Sequence, residues 1–174
     1  MAYFSNGTEG MAFDEQTSWG PFKFTTKDKT DKHLDHNGKI FSVNGMIIGC
    51  AGSVPDIGML QLFCKSHKPK EMSRDAIMEW LIEFKEWAVA KTKCGYNDIS
   101  VYGIMVCAGQ AYAFFDFLDV YQIKEFDSVG SGMFLALGAM EIGATATEAV
   151  KVAAKYDMAC GGEVKTLFIP NPNQ

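Results

Sequence analysis

The sequence predicts an α+β fold, a four-layer α/β/β/α sandwich in which helices cover two stacked, mainly antiparallel sheets. Two blocks of short apolar runs separated by hairpin turns occur in the 174 residues, and a pair of helical patterns follows each block. Each sheet has to bury an apolar face, so two such blocks are expected to stack. We expect one domain over residues 1–169 and a flexible tail at 170–174.

The first block opens with a hairpin. Asn6-Gly7 is the dipeptide most typical of a two-residue turn, and it separates the apolar runs Ala2–Ser5 and Thr8–Asp14. The segment Gln16–Gly38 is polar and has no clear periodicity. We interpret it as a surface loop with at most one short strand.

A second hairpin and a helix follow. Asn44-Gly45 separates the predicted strands Lys39–Val43 and Met46–Ala51, and the second of these is apolar throughout. Ser53 is a suitable N-cap with a proline two residues on, so a helix is expected to begin there and to end before Lys68-Pro69.

The second helix begins at Ser73 and ends at Cys94-Gly95. Its apolar residues recur at three- and four-residue spacing, which predicts a wide buried stripe: Ile77, Trp80, Leu81, Phe84, Trp87 and Ala88. Two strands are then expected, Asp98–Cys107 and Ala111–Asp116, before an acidic, irregular stretch at 118–127.

The last part of the chain returns to helices. Gly132–Ile142 has the pattern of a mostly buried helix, and Thr145–Cys160 is a helix opened by Thr145 with Glu148 three residues later, the arrangement of a capping box. Glu163–Ile169 predicts a final strand.

Composition excludes several function classes. The formal charge of -5 is spread without a basic cluster, which argues against nucleic-acid binding. Five cysteines without a CxxC pair indicate a reducing compartment. We expect no membrane span or signal peptide, and a cytoplasmic protein. His33-Leu34-Asp35-His36 lacks a third ligand at a useful spacing, so we expect no metal, and no pattern implies a cofactor.

Four motifs, in order along nearly the whole chain, carry a family resemblance. They are Phe13-Asp14-Glu15-Gln16, the block from Lys39 through Ala51-Gly52-Ser53, Gly130-Ser131-Gly132, and Asp157 with Cys160-Gly161-Gly162. Together they resemble the proteasome β-type subunits, and in size the bacterial peptidase subunit HslV, both N-terminal nucleophile (Ntn) hydrolases. The last motif departs from the family by a cysteine where serine is usual. Short chains that resemble this one also occur among bacteriophage-encoded members of the family.

The resemblance implies a threonine-type peptidase site. Its catalytic set would be Asp14, Lys39, Ser131 and Asp157, with an oxyanion site at the Ala51-Gly52 turn and Cys160 as an auxiliary group. An N-terminal hydroxyl would be activated by its own α-amine, whose usual pKa of roughly 8 suits a general base. Taken singly, these residues have ordinary alternatives: a solvated strand lysine, turn or helix-surface carboxylates, a turn serine and a structural cysteine.

The nucleophile is missing from its expected place. Removal of Met1 would leave Ala2 first, and counting back from Asp14 without a gap places Ala2 where the family has threonine. We therefore expect a chain that is inactive as it stands. A peptidase whose threonine has been replaced and a natural non-catalytic ring or shell component both fit this sequence.

The resemblance also implies partners. We expect a homo-oligomeric ring of six or seven subunits, single or stacked on a second ring, an ATPase that unfolds substrates, and peptides as substrates. The helices after Ser53 and Ser73 are predicted to form the subunit contacts, because their apolar stripes need cover. The cytoplasm is the expected location, or the host cytoplasm or virion for a phage-encoded chain.

Overall fold

The computed structural model describes residues 1–4, 10–14, 16–19, 22–24 and 39–167. The chain divides into two compact units, Met1–Lys39 with Lys124–Gln174, and Ile40–Ile123. The single domain over residues 1–169 stays a prediction, and the tail at 170–174 lies outside the described residues.

Eleven strands and four α-helices are described. The strands are β1 (Ala2–Phe4), β2 (Met11–Asp14), β3 (Thr17–Trp19), β4 (Phe22–Phe24), β5 (Ile40–Val43), β6 (Met46–Gly52), β7 (Val101–Cys107), β8 (Gln110–Phe114), β9 (Val120–Ile123), β10 (Phe126–Ser128) and β11 (Val164–Leu167). The helices are α1 (Val54–Cys64), α2 (Arg74–Thr92), α3 (Met133–Glu141) and α4 (Ala146–Tyr156).

The discontinuous unit contains a four-stranded antiparallel sheet in the order β10-β1-β2-β11. Ala2 of β1 lies opposite Ala12 of β2 on one side and Ser128 of β10 on the other. The predicted pairing of the first two strands is confirmed, while its Asn6-Gly7 turn lies outside the described residues.

Helices α3 and α4 pack on this sheet through small side chains. Ala2 and Ala12 share one core cluster with residues of the two helices: Ala136, Ala139, Met140, Ala146, Ala149 and Val150. Alanine lets a helix approach a sheet closely, and a large side chain in this cluster would have to displace one of them. The capping box that opens α4 is confirmed, since the Thr145 side chain accepts from the Glu148 N–H and the Glu148 carboxylate accepts from the Thr145 N–H.

The contiguous unit contains a five-stranded antiparallel sheet in the order β5-β6-β7-β8-β9. The predicted hairpin at Asn44-Gly45 is confirmed, and both residues have positive φ, 51° and 79°, as a type I′ turn requires. Helices α1 and α2 bury their apolar side chains against this sheet in one cluster that includes Phe63, Trp80 and Phe84. Both helices begin after the predicted caps, Ser53 and Ser73.

Three sequence-based expectations are wrong in detail. The segment 16–38 contains two paired strands, β3 and β4, rather than at most one, because strands of three residues are too short to show a period. The stretch 118–127 contains β9 and part of β10. The charged residues that flank β9, Asp119 and Lys124, hide its two buried residues, Val120 and Ile123. The predicted helix Thr145–Cys160 ends at Tyr156, since Asp157 adopts an extended conformation.

The start of β7 also differs from the prediction. The residues Tyr96–Asp98 form a 3-10 turn, in which the Asp98 carboxylate accepts from the Gly95 N–H, and β7 begins at Val101. Among the helices that the structure describes, none has the length and apolar character needed to cross a membrane.

Candidate active site

A buried ion pair joins Asp14 and Lys39. Asp14 ends β2 with its side chain 1% exposed, and Lys39, directly before β5, is 25% exposed. The Lys39 Nζ lies 2.8 Å from Asp14 Oδ1 and 2.9 Å from Oδ2, and the Gly161 N–H donates to Oδ2 at 3.2 Å. A carboxylate removed from water requires partners of this kind. Sequence and structure therefore agree that these two side chains act as a pair.

The backbone of Met1 continues β1 alongside β10. Its carbonyl accepts from the Val129 N–H at 3.0 Å and from the Ser128 hydroxyl at 2.7 Å, and its amine donates to the Val129 carbonyl at 3.2 Å. Burial lowers the pKa of this amine from the usual 8.0, Asp14 opposes the shift, and Lys39 adds to it. The amine of residue 1 thus lies within the field of the buried ion pair.

Ser131, Asp157 and Cys160 form a second contact group. The Cys160 thiol lies 3.5 Å from Asp157 Oδ2, to which it donates, and 3.6 Å from the Ser131 hydroxyl. Burial raises the pKa of the Cys160 thiol, the Ser131 hydrogen bond lowers it, and the charges of Asp14 and Asp157 raise it. The raised pKa favours the protonated thiol, the form that can donate to the Asp157 carboxylate.

The Asp14–Lys39 ion pair and the contact group of Ser131, Asp157 and Cys160 are neighbours in the structure. Gly161 follows Cys160 and bonds to Asp14, and the pKa of the Cys160 thiol responds both to Asp14 and to the amine of residue 1. We use the name site cluster for the Met1 amine and the side chains of Asp14, Lys39, Ser131, Asp157 and Cys160.

Ala2 lies in the apolar core of the discontinuous unit. Its side chain is completely buried in the cluster formed with Ala12 and helices α3 and α4. The group that the structure brings to the charged residues is the amine of the preceding residue, Met1.

The predicted oxyanion residues Ala51 and Gly52 end β6 in the contiguous unit. Gly52 has φ of 118°, and a Cβ at this position would collide with the Ser100 carbonyl, which accepts from the Ser53 N–H at 2.8 Å. A glycine is therefore required at this turn for steric reasons alone. The oxyanion role stays a prediction.

Gln16 is a residue of this region that the sequence did not single out as functional. It is buried, with 8% of its surface exposed, and its side-chain amide donates to the Met158 carbonyl at 3.0 Å. Its backbone N–H donates to the Gly161 carbonyl at 3.0 Å. Because these partners lie more than 140 residues away along the chain, no local pattern could have indicated the contacts.

Gly132 leaves room for the thiol of Cys160. A Cβ at Gly132 would lie 2.8 Å from Cys160 Sγ and 2.8 Å from Ala153 Cβ. We expect Gly132→Ala to lower the free energy of unfolding by about 1–3 kcal/mol through overpacking, measured by urea denaturation.

Gly138→Ala is the matched control for that substitution. It lies in α3, its Cβ would meet nothing within 4 Å, and it should raise stability by up to about 1 kcal/mol because alanine favours a helix. Equal stability changes for the two variants would show that the space beside Gly132 can adjust freely.

Within the described residues, no group of three or more histidine, cysteine or acidic side chains could hold a metal ion. His33 and His36, from which the sequence predicts no metal site, lie outside them.

Solved structures match the fold over almost its full length. Thiobacillus denitrificans BPH has a TM-score of 0.81 at 19% identity, covering 99% of this chain and 98% of that one, and its complex with epoxomicin has the same TM-score at 18% identity, covering 98% and 97%. Eukaryotic HslV from Trypanosoma brucei has a TM-score of 0.65 at 15% identity, covering 97% and 98%. Anbu (ancestral beta-subunit) from Yersinia bercovieri also has 0.65, at 11% identity, covering 91% and 76%.

The sequence itself matches no protein-family model and no curated protein. At these identities, the structural matches show the fold. It is the proteasome-type fold of the Ntn hydrolases, the α+β sandwich class that the sequence predicts.

Proposed function

Starting from the proteasome-type fold, we propose that this chain is a threonine-peptidase-type subunit, a scaffold for peptide-bond hydrolysis through an N-terminal nucleophile. The observation that carries the proposal is the Asp14–Lys39 ion pair, which lies close enough to the amine of residue 1 to influence its pKa. A peptidase of this type uses the α-amine of its own first residue as the base and needs a cation close to that residue.

The cluster supplies both groups. A hydroxyl on the first residue would lose its proton to its own α-amine, and the Lys39 cation would stabilise the negative charge that develops on oxygen. Asp14 keeps the Lys39 side chain in place through two charge-assisted hydrogen bonds. No histidine is required for this chemistry.

The buried amine suits the role of base. Because its pKa is lowered from 8.0, more of it is unprotonated at neutral pH than in an exposed N-terminus. An unprotonated base is the active form, so the acid limb of kcat/KM against pH should lie below pH 8.0 in a variant with a nucleophile.

Ser131, Asp157 and Cys160 complete the proposed site. The thiol takes the place of the serine hydroxyl of the family motif and donates to the Asp157 carboxylate. Together they would orient the first residue, while the backbone at Ala51 and Gly52 is proposed to bind the oxyanion.

Neither Met1 nor Ala2 has a hydroxyl or thiol, so the chain with this sequence is proposed to be inactive. We place the nucleophile at residue 1, because the amine of that residue lies in the site cluster while the Ala2 side chain is enclosed by the helices. The alternative is that Ala2 stands at the threonine position, which would require β1 to pair one residue out of its present register.

The proposed assembly is a ring of six or seven copies that takes peptides from an ATPase unfoldase. Val54 and Leu62 of α1 are 48% and 50% exposed, which supports the prediction that α1 forms subunit contacts.

We expect Leu62→Glu to reduce the assembly to smaller species in light scattering. Gln61→Glu, one residue earlier, is the control for added charge, and an unchanged mass for Leu62→Glu would remove α1 from the interface.

Binding of epoxomicin tests the proposed function, because the related Thiobacillus denitrificans BPH forms a complex with it. A variant with threonine as its first residue in place of Met1 should retain epoxomicin in intact-mass spectra. The unsubstituted chain and the same variant with Lys39→Met should not retain it. Failure of every threonine variant to bind epoxomicin or cleave peptides would favour the alternative, a non-catalytic ring or shell component on the same fold.

A further inference from the structure

The loop after α4 is held to the end of β2 from two sides. The Gly161 N–H donates to the Asp14 carboxylate at 3.2 Å, and the Gly161 carbonyl accepts from the Gln16 N–H at 3.0 Å. Asp14 and Gln16, two residues apart in the chain, therefore both form hydrogen bonds with Gly161. This arrangement fixes both polar groups of Gly161.

The Gln16 side chain adds a third attachment. Its amide Nε2 donates to the Met158 carbonyl at 3.0 Å, two residues before Cys160. The attachments to Gln16 therefore lie on both sides of Cys160 along the chain, at Met158 and at Gly161. A segment held at both ends has little freedom to move the residue between them.

The fit around Gly161 is tight. A Cβ on this residue would lie 2.5 Å from Gln16 Oε1, closer than non-bonded atoms approach. Because Oε1 is the far end of a flexible side chain, a Cβ at Gly161 would displace the Gln16 amide rather than the backbone. The contact between Gln16 and Gly161 can therefore be disturbed by a substitution at either residue.

An amide is the suitable group for this position. It donates to the Met158 carbonyl while carrying no charge, whereas a glutamate would lack a donor at neutral pH and place another carboxylate two residues from the buried Asp14. A methionine has a similar length but offers no N–H.

We propose that Gln16 is a positioning residue, which holds the Met158–Gly161 loop so that the Cys160 thiol reaches Asp157 and Ser131 and the Gly161 N–H reaches Asp14. Its effect on peptide cleavage rests on the proposed function. Its effect on the geometry of the loop is independent of the proposed function. Loop geometry and peptide cleavage are therefore measured in separate experiments.

Alkylation of Cys160 by iodoacetamide measures the geometry in the full chain. The charged groups that face this thiol are Asp14, Asp157 and the Met1 amine. Burial is the largest cause of its raised pKa, so a loop released by Gln16→Met should bring the apparent pKa down toward the roughly 8.5 of a free thiol. Labelling of the Cys160 peptide at pH 7.5, followed by mass spectrometry, should become about three- to tenfold faster.

Several controls accompany the labelling. Cys94 and Cys107 are partly exposed and serve as internal references in each sample. Gln110→Met changes an exposed glutamine of β8 and should leave Cys160 labelling unchanged. An unaltered pH profile for Cys160 in a folded Gln16→Met protein would overturn the proposal.

Gly161→Ala tests the same contact from the loop side, and it decides the question if Gln16→Met does not fold. It should accelerate Cys160 labelling as Gln16→Met does, and the double variant should add little to either single change, since one contact is lost in each case. Gly138→Ala, with open space at its Cβ, is the matched control. Labelling in Gly161→Ala that matches the unsubstituted protein would contradict the proposal.

Activity gives the second measurement, in the variant with threonine at residue 1. Gln16→Met should lower kcat about tenfold with KM within about twofold, because the substrate contacts are unchanged while the reacting groups are less well placed. If the threonine variant itself cleaves nothing, the proposed function fails, and the labelling result still decides the role of Gln16.

Discussion

A chain with threonine in place of Met1, exposed as the first residue by removal of a leader, is expected to cleave fluorogenic peptide amides at least about 100-fold faster than the unsubstituted chain. The threonine hydroxyl would be carried by the residue whose amine lies in the field of Asp14 and Lys39. The hydrogen bonds of residue 1 to Ser128 and Val129 use its backbone alone and are retained.

Threonine in place of Ala2, with Met1 removed, is the matched comparison and is expected to be about 100-fold less active than the first variant. The side chain at position 2 is enclosed by α3 and α4. To bring residue 2 to the site cluster, β1 would have to slip by one residue, which exchanges the two faces of the strand. Tyr3 would then have to enter a core lined by alanines.

The pair of variants separates three possibilities. Activity in the first alone supports residue 1 as the nucleophile position. Activity in the Ala2→Thr chain alone would show that the gapless count from Asp14 gives the right position and that β1 shifts when Met1 is absent. No activity in either, with both proteins folded and assembled, would support the non-catalytic alternative.

Lys39→Met is expected to have the second large effect, lowering the free energy of unfolding by about 3 kcal/mol. The substitution leaves the Asp14 carboxylate 1% exposed, with the Gly161 N–H but without its cation. Urea denaturation at neutral pH measures the change, provided the m-value is unaltered. In the threonine variant, the same change should reduce kcat by about 100- to 10,000-fold.

Asp14→Asn is the matched change on the other side of the ion pair, and it should cost less, about 1–2 kcal/mol. Lys39 is 25% exposed, so an unpaired ammonium can turn toward water, whereas an unpaired Asp14 carboxylate cannot. Combining the two substitutions should cost less than their sum, because both remove the same interaction. Equal losses for the two single variants would contradict the unequal burial of the pair.

Sequence could predict those parts of the fold whose cause is local. The hairpin at Asn44-Gly45 follows from two residues that tolerate positive φ, and the start of α4 follows from the capping box at Thr145 and Glu148. Asp14 and Lys39 could be paired from the family resemblance, since each lies in its own recognisable motif.

Features set by distant contacts could not be predicted. β10 has three residues and forms because β1, more than 120 residues earlier in the chain, pairs with it. Gln16 owes its contacts to a loop more than 140 residues later. The position of residue 1 depends on the register of β1 between β2 and β10, which counting along the sequence does not reveal.

The division of the chain into two units has a consequence for the order of events during synthesis. The unit that contains β5–β9 is one continuous stretch, so it can fold as soon as it has left the ribosome, whereas the other unit joins the first 39 residues to those after Ile123. Asp14 and Lys39 are made well before Ser131, Asp157 and Cys160, and the interval from Lys39 to Cys160 is roughly 6 to 24 seconds at about 5–20 residues per second. The site cluster is therefore completed only after residue 160 has been synthesised, later than the whole of the contiguous unit.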